Sequence, residues 1–205
     1  MKLKTVLLIC LMSIGARAAV DDFSNHLLTA SNVKLNMNSR WSSLLKAAEL
    51  ADKEQLEEVK KFTSDKEWYM RNAALVALNK VNRDAAIGEG RKLLTDKSLV
   101  VRSAAVEIVS QRMNLENKKA LVEEIDKAYN FNKKSSLWIR LQIMEKVAEV
   151  AGSSDREFFV KGLFDADTKI ASLSAHTLGK ITGKVVEPKK FVENWKNIVK
   201  DNKWM

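Results

Sequence analysis

The chain has 205 residues, one proline, seven glycines and one cysteine, and a formal charge of +9. That length allows one medium domain with its own core. So few chain breakers argue against an all-β fold, and a lone cysteine excludes an internal disulfide.

Residues 1–18 read as an export signal. Lys2 and Lys4 precede an apolar run through Ile14, and Ala16-Arg17-Ala18 places small residues at a cleavage site. The run is too short to span a bilayer comfortably, which needs about 20 residues, and an uncleaved membrane anchor is the alternative reading. Cleavage after Ala18 would remove Cys10, leaving no thiol nucleophile and no thiolate metal site. It would leave 32 basic against 26 acidic residues, a mildly basic chain bound for the periplasm or the exterior. The mature chain has no apolar segment long enough to cross a membrane. Its charge is dispersed, which suits solubility, with an anionic partner as the other reading.

Residues 19–51 read as an N-terminal cap or partial repeat, less regular over 21–38. Phe23, Leu27 and Leu28 mark a partial helix and Arg40 opens its partner. A repeated sentence follows: "TSDKEWYMRNAALVALNKV" (Thr63–Val81) and "TDKSLVVRSAAVEIVSQRM" (Thr95–Met113). Arg40, Arg71 and Arg102 are spaced by 31 residues, Arg140 follows after 38, and another 31 reaches Ala171. A recurrent spacing of this size marks stacked supersecondary units. Counted from each of these positions, offsets −1, +3, +4 and +7 hold apolar or small residues, one face of an α-helix. An Asp stands six residues ahead at Asp65, Asp96 and Asp165, where it can accept from free N–H groups of a first helical turn. Ahead of each Asp lies a second apolar-periodic stretch, so each unit reads as an antiparallel helix pair. The boundaries fall near 52–82, 83–113, 114–151 and 152–183. The last segment, 184–205, carries Phe191, Val192, Trp195, Ile198 and Val199 on one face and reads as a capping helix, with Pro188 in its first turn.

The pattern D-x4-[VIM]-R-x2-A resembles HEAT repeats, especially the short bacterial, phycobilisome-lyase-like kind. It is carried by Asp65–Leu78 and Asp96–Val109, and more weakly around Arg140 and Ala171. The resemblance implies an all-α fold: a right-handed α-solenoid of about four helix pairs with N- and C-terminal capping helices. It also implies that Asp65, Arg71, Asp96, Arg102 and Arg140 form a structural ladder between units. The family is a scaffold with many uses, so the likeness does not fix a function.

Catalytic signatures are missing. The two histidines, His26 and His176, lack a second ligand at helical spacing. "GEGR" (Gly88–Arg91) lacks the ending of a phosphate loop. Neighbouring carboxylates such as Glu57-Glu58 point apart on a helix. The expectation is a non-enzyme without cofactor or metal that binds an envelope protein or peptide. An anionic polymer or lipid headgroup is the alternative partner. Nucleic acid is not expected, because no basic stripe with interleaved aromatics appears. Offsets +1, +5, +8 and +9 predict the exposed surface of the second helices. Trp68, Tyr69 and Trp138 are expected in the turns between paired helices. The third unit is seven residues longer, around Tyr129–Trp138, and a polar insertion of this kind maps to a loop, often on a binding face. Trp68, Tyr69, Phe131, Lys133, Lys134 and Trp138 are therefore the candidate partner contacts.

Overall fold

The computed structural model describes residues 22–204, which form two compact units that part between Val109 and Ser110. The proposed export segment lies outside the described residues. The fold is all-helical, with neighbouring helices packed on one another and a single two-residue hairpin among the described residues.

The first unit begins with α1 (22–31) and α2 (Met37–Leu50). Asn36 caps α2 by accepting from the Ser39 amide at 2.9 Å. α3 (Gln55–Lys61) starts at a reciprocal cap. The Asp52 carboxylate accepts from the Glu54 and Gln55 amides at 2.9 and 2.8 Å, and the Gln55 side chain accepts from the Asp52 amide at 3.0 Å. α3 runs on into a 3₁₀ turn, Phe62–Ser64, before α4 (Trp68–Val81). Asn82 ends α4 and caps α5 (Arg83–Leu93), and α6 (Leu99–Ser110) completes the unit. α2 and α4 lie side by side, and α5 packs on α4. α5 also approaches α6 closely, for a methyl group at Gly90 would sit 3.1 Å from Val109 Cγ2.

The second unit opens with α7 (Leu115–Glu124), capped by Asn114. α8 (Trp138–Glu149), α9 (Arg156–Leu163), α10 (Thr168–Thr182) and α11 (Phe191–Asp201) follow. α10 ends on Gly183, whose φ of 68° suits a left-handed helix terminus. α9 packs on α10, and α11 packs on both. The close approach is made at Gly162, where any Cβ would collide with Ser174 Oγ and meet Met144 Cε at 3.0 Å. Gly162→Ala is expected to cost about 1–3 kcal/mol by overpacking, although alanine favours a helix. A melt equal to or above that of the parent would refute this close contact.

The helical register is that of the repeated columns. Positions +3, +4 and +7 are buried in all five second helices, and position −1 is buried in four, with Ser39 half-buried. The repeated arginines are buried with them: Arg40, Arg71, Arg102 and Arg140. Positions +5 and +9 are exposed, apart from half-buried Leu45, whereas +1 and +8 are half-buried or, at Ala48, buried.

Phe23 and Leu27 lie on a first helix, as expected, which buries Phe23 and Ala30 and leaves Leu28 exposed. Two expectations change in detail. Trp68 and Tyr69 are the first two residues of α4 and Trp138 is the first of α8, not turn residues. Pro188 lies outside α11, which starts at Phe191 after Lys190 takes a left-handed φ of 58°. Pro188 still supports the entry, since its carbonyl accepts from the Phe191 amide at 3.2 Å.

Candidate partner-binding surfaces

The repeated Arg and Asp meet across neighbouring second helices. In the first unit, Arg40 Nη2 lies 3.4 Å from Asp65, while its Nε donates to the Ala30 carbonyl at 2.8 Å. One step along, Arg71 forks Asp96 through Nε and Nη2 at 2.6 and 2.7 Å. Its Nη1 donates to the Asp65 and Lys66 carbonyls at 2.8 and 3.1 Å. Arg102 donates to the Asp96 carbonyl at 2.7 Å. In the second unit Arg140 contacts Asp165 at 2.6 Å, Asp126 at 3.2 Å and the Ile125 carbonyl at 2.8 Å. A guanidinium supplies five donors in a planar fork, so one buried arginine can tie a turn to the next helix pair. The Asp side chains also accept from the backbone two residues on, at Glu67, Ser98 and Asp167. Their amide partners are one residue short of the first helical turn anticipated for them.

Electrostatics follow from this packing. Burial is the largest single influence and pushes the Asp96 and Asp165 carboxyls up, but the hydrogen bonds from Arg71 and Arg140, the backbone amides of Ser98 and Asp167 and the nearby cations together outweigh it and hold both below the usual carboxylate range. The Arg71 guanidinium is raised, chiefly by its hydrogen bonds to Asp96. Arginines committed in this way have little to offer a ligand.

The sequence-derived contacts divide between the two units. Trp68 and Tyr69 stand at the start of α4 in the first, with rings edge-on at 6.1 Å. Trp68 is exposed, whereas the Tyr69 hydroxyl accepts from Arg40 Nη1 at 2.8 Å and so joins the packing of the turn. In the second unit the seven-residue excess is a built element rather than a loose loop. A 3₁₀ turn, Ala128–Asn130, leads into a hairpin of β1 (Phe131–Asn132) and β2 (Ser135–Ser136). Lys133 and Lys134 form its tip, Lys133 at a φ of 58°. Asn130 is fully buried and donates to the Glu124 carbonyl at 2.8 Å, and the Phe131 ring lies 4.3 Å from the Arg140 guanidinium carbon. Phe131 therefore covers the ladder, while Lys133, Lys134 and Trp138 face solvent.

A second surface was only half legible in the sequence. In the second unit two shallow, open depressions adjoin on α10 and share Ser172 and His176, and together they form a groove. Against α8, Leu141 and Leu173 are the apolar residues and Glu145 and Lys169 the charged ones. Against α11, Phe191 and Val192 are apolar and Lys190 and Glu193 charged, and this part measures about 540 Å³. His176 bridges the two parts, its Nδ1 2.8 Å from the Ser172 carbonyl and its ring 4.6 Å from that of Phe191. The repeat columns place Leu141 and Ser172 on one row expected to be exposed and Glu145 and His176 on the next; the first two are half-buried and the last two exposed. For α11 the sequence indicates only a cap, because nothing in its own residues shows which helix it meets.

Among the described residues no three His, Cys, Asp or Glu side chains converge as a metal site would require, and no helix is long and apolar enough to cross a membrane. No protein-family model matches the sequence, and no curated protein matches it.

Proposed function

We propose that this protein is an exported, non-catalytic helical-repeat scaffold of the HEAT type, coiled as a right-handed α-solenoid, that binds a protein or peptide in the envelope. The observation that carries the binding role is the groove of the second unit. Its apolar wall residues come from three helices, and charges of both signs stand around them. That combination suits an extended or helical segment that inserts an apolar side chain and pairs its own charges at the rim. Buried arginines committed to the ladder, and the scarcity of convergent acids, bases and nucleophiles, support binding over catalysis.

The test is site-specific photo-crosslinking in the producing cell. A crosslinker at position 176 should yield one discrete protein adduct that persists at high salt. The same group at Glu123, exposed on α7, should not. Phe191→Ser should reduce the position-176 adduct at least about tenfold, as truncation of an interface anchor does. Adducts from position 123 alone, or from neither position, would reject the groove.

A further inference from the structure

We infer that the edge of the first unit formed by the turns into α2, α4 and α6 docks on an anionic phospholipid surface. The ladder establishes that these turns share one edge. Arg40 at the start of α2 reaches Asp65 before α4, and Arg71 at the start of α4 reaches Asp96 before α6. Each turn then presents the same pair of side chains outward. Val33 and Met37 are 72% and 46% exposed beside Lys34, Trp68 is 43% exposed beside Lys66, and Val100 is 46% exposed beside Lys97.

The charge of this edge is decided by the packing. In sequence the Asp65-Lys66 and Asp96-Lys97 pairs are neutral, and Lys34 has no acidic neighbour. In the fold each Asp turns inward onto a buried arginine and its Lys is left outside. Lys34, Lys66 and Lys97 are exposed and have no ion-pair partner among the described residues. Glu67 is the one exposed carboxylate in these three turns. The edge is thus cationic and apolar together, complementary to headgroups above an acyl layer.

Shape favours a lipid surface over a protein. The exposed apolar groups stand on successive chain turns, and none of them lines the groove described above or the depression between α1 and α3. Protein anchors need a desolvated pocket on one side or the other, whereas a bilayer moulds itself around projecting side chains. Trp68, held edge-on by Tyr69, is the side-chain type enriched at membrane interfaces. The long turn of the second unit repeats the chemistry with exposed Tyr129 and Trp138 beside Lys127, Lys133 and Lys134.

Sedimentation with vesicles tests this inference. Residues 19–205 retain every described helix and both cores, and exclude the apolar leader, which would bind lipid by itself. This chain should partition onto equimolar phosphatidylglycerol–phosphatidylcholine vesicles and not onto phosphatidylcholine alone. Changing Lys34, Lys66 and Lys97 to Gln should weaken binding about a hundredfold, at roughly fivefold per lysine. Changing Met37, Trp68 and Val100 to Ser should weaken it at least about tenfold. The lysine variant should keep the parent melting temperature, since its altered side chains are exposed, whereas the Ser variant, which also gives up the covered part of Trp68, should melt lower yet remain folded at the assay temperature. Four results would overturn the inference: no binding by the parent, binding that neither variant changes, loss in the lysine variant only, or retention on an immobilised acidic protein without vesicle binding.

Discussion

Asp96→Ala is expected to destabilise the first unit by about 3–5 kcal/mol. The change leaves Arg71 buried without its carboxylate, since the remaining partners of that guanidinium are the Asp65 and Lys66 carbonyls. It also strips the Ser98 amide of its acceptor at 2.7 Å. Asp96→Asn should cost less, because a neutral amide can still accept from Ser98. Combining Arg71→Met with Asp96→Leu should recover much of the loss, as replacing a whole buried pair by apolar groups often does. The pH dependence has a definite sign. Asp96 and Asp165 have folded pKa values below their unfolded value of about 3.9. The folded state therefore binds fewer protons, and the stability these carboxylates contribute is full above about pH 5 and lost as pH falls through the folded values. Urea melts at pH 6 and pH 3 should show a smaller acid loss for Asp96→Ala than for the parent. An equal acid loss, or a destabilisation under about 1 kcal/mol at pH 6, would make the pair a surface contact in effect.

Trp195→Ala is expected to cost about 3–5 kcal/mol in the second unit. Trp195 is fully buried, although it lies on the last helix of the chain. α11 joins it with Val199 in the core and packs on α9 and α10. The Trp195 indole N–H has no hydrogen-bond acceptor among the described residues. Trp195→Phe therefore forfeits no hydrogen bond and should cost only the lost volume, about 1–2 kcal/mol. Because α11 also carries Phe191, Val192 and Glu193, the alanine variant should lose the position-176 crosslink along with its stability. A parent-like melt in Trp195→Ala would mean that α11 is an appendage and would remove one wall of the groove.

The sequence alone determined the helical register. Buried columns at +3, +4 and +7 follow from the geometry of one helix, and that geometry depends only on neighbours in the chain. Arg40, Arg71 and Arg102 could be singled out from the sequence as well, since they recur every 31 residues, and Arg140 follows after 38. Tertiary structure decided what those residues touch. Asp96 bonds an arginine 25 positions earlier, and that contact turns a neutral Asp-Lys pair into an exposed cation. The seven-residue excess was visible, but a polar composition could not reveal that Asn130 would be buried and that Phe131 would lie over Arg140. The apolar face of α11 was equally plain in sequence. That the same helix would wall a groove with α8 and α10 depends on a packing angle between elements, which no local periodicity encodes.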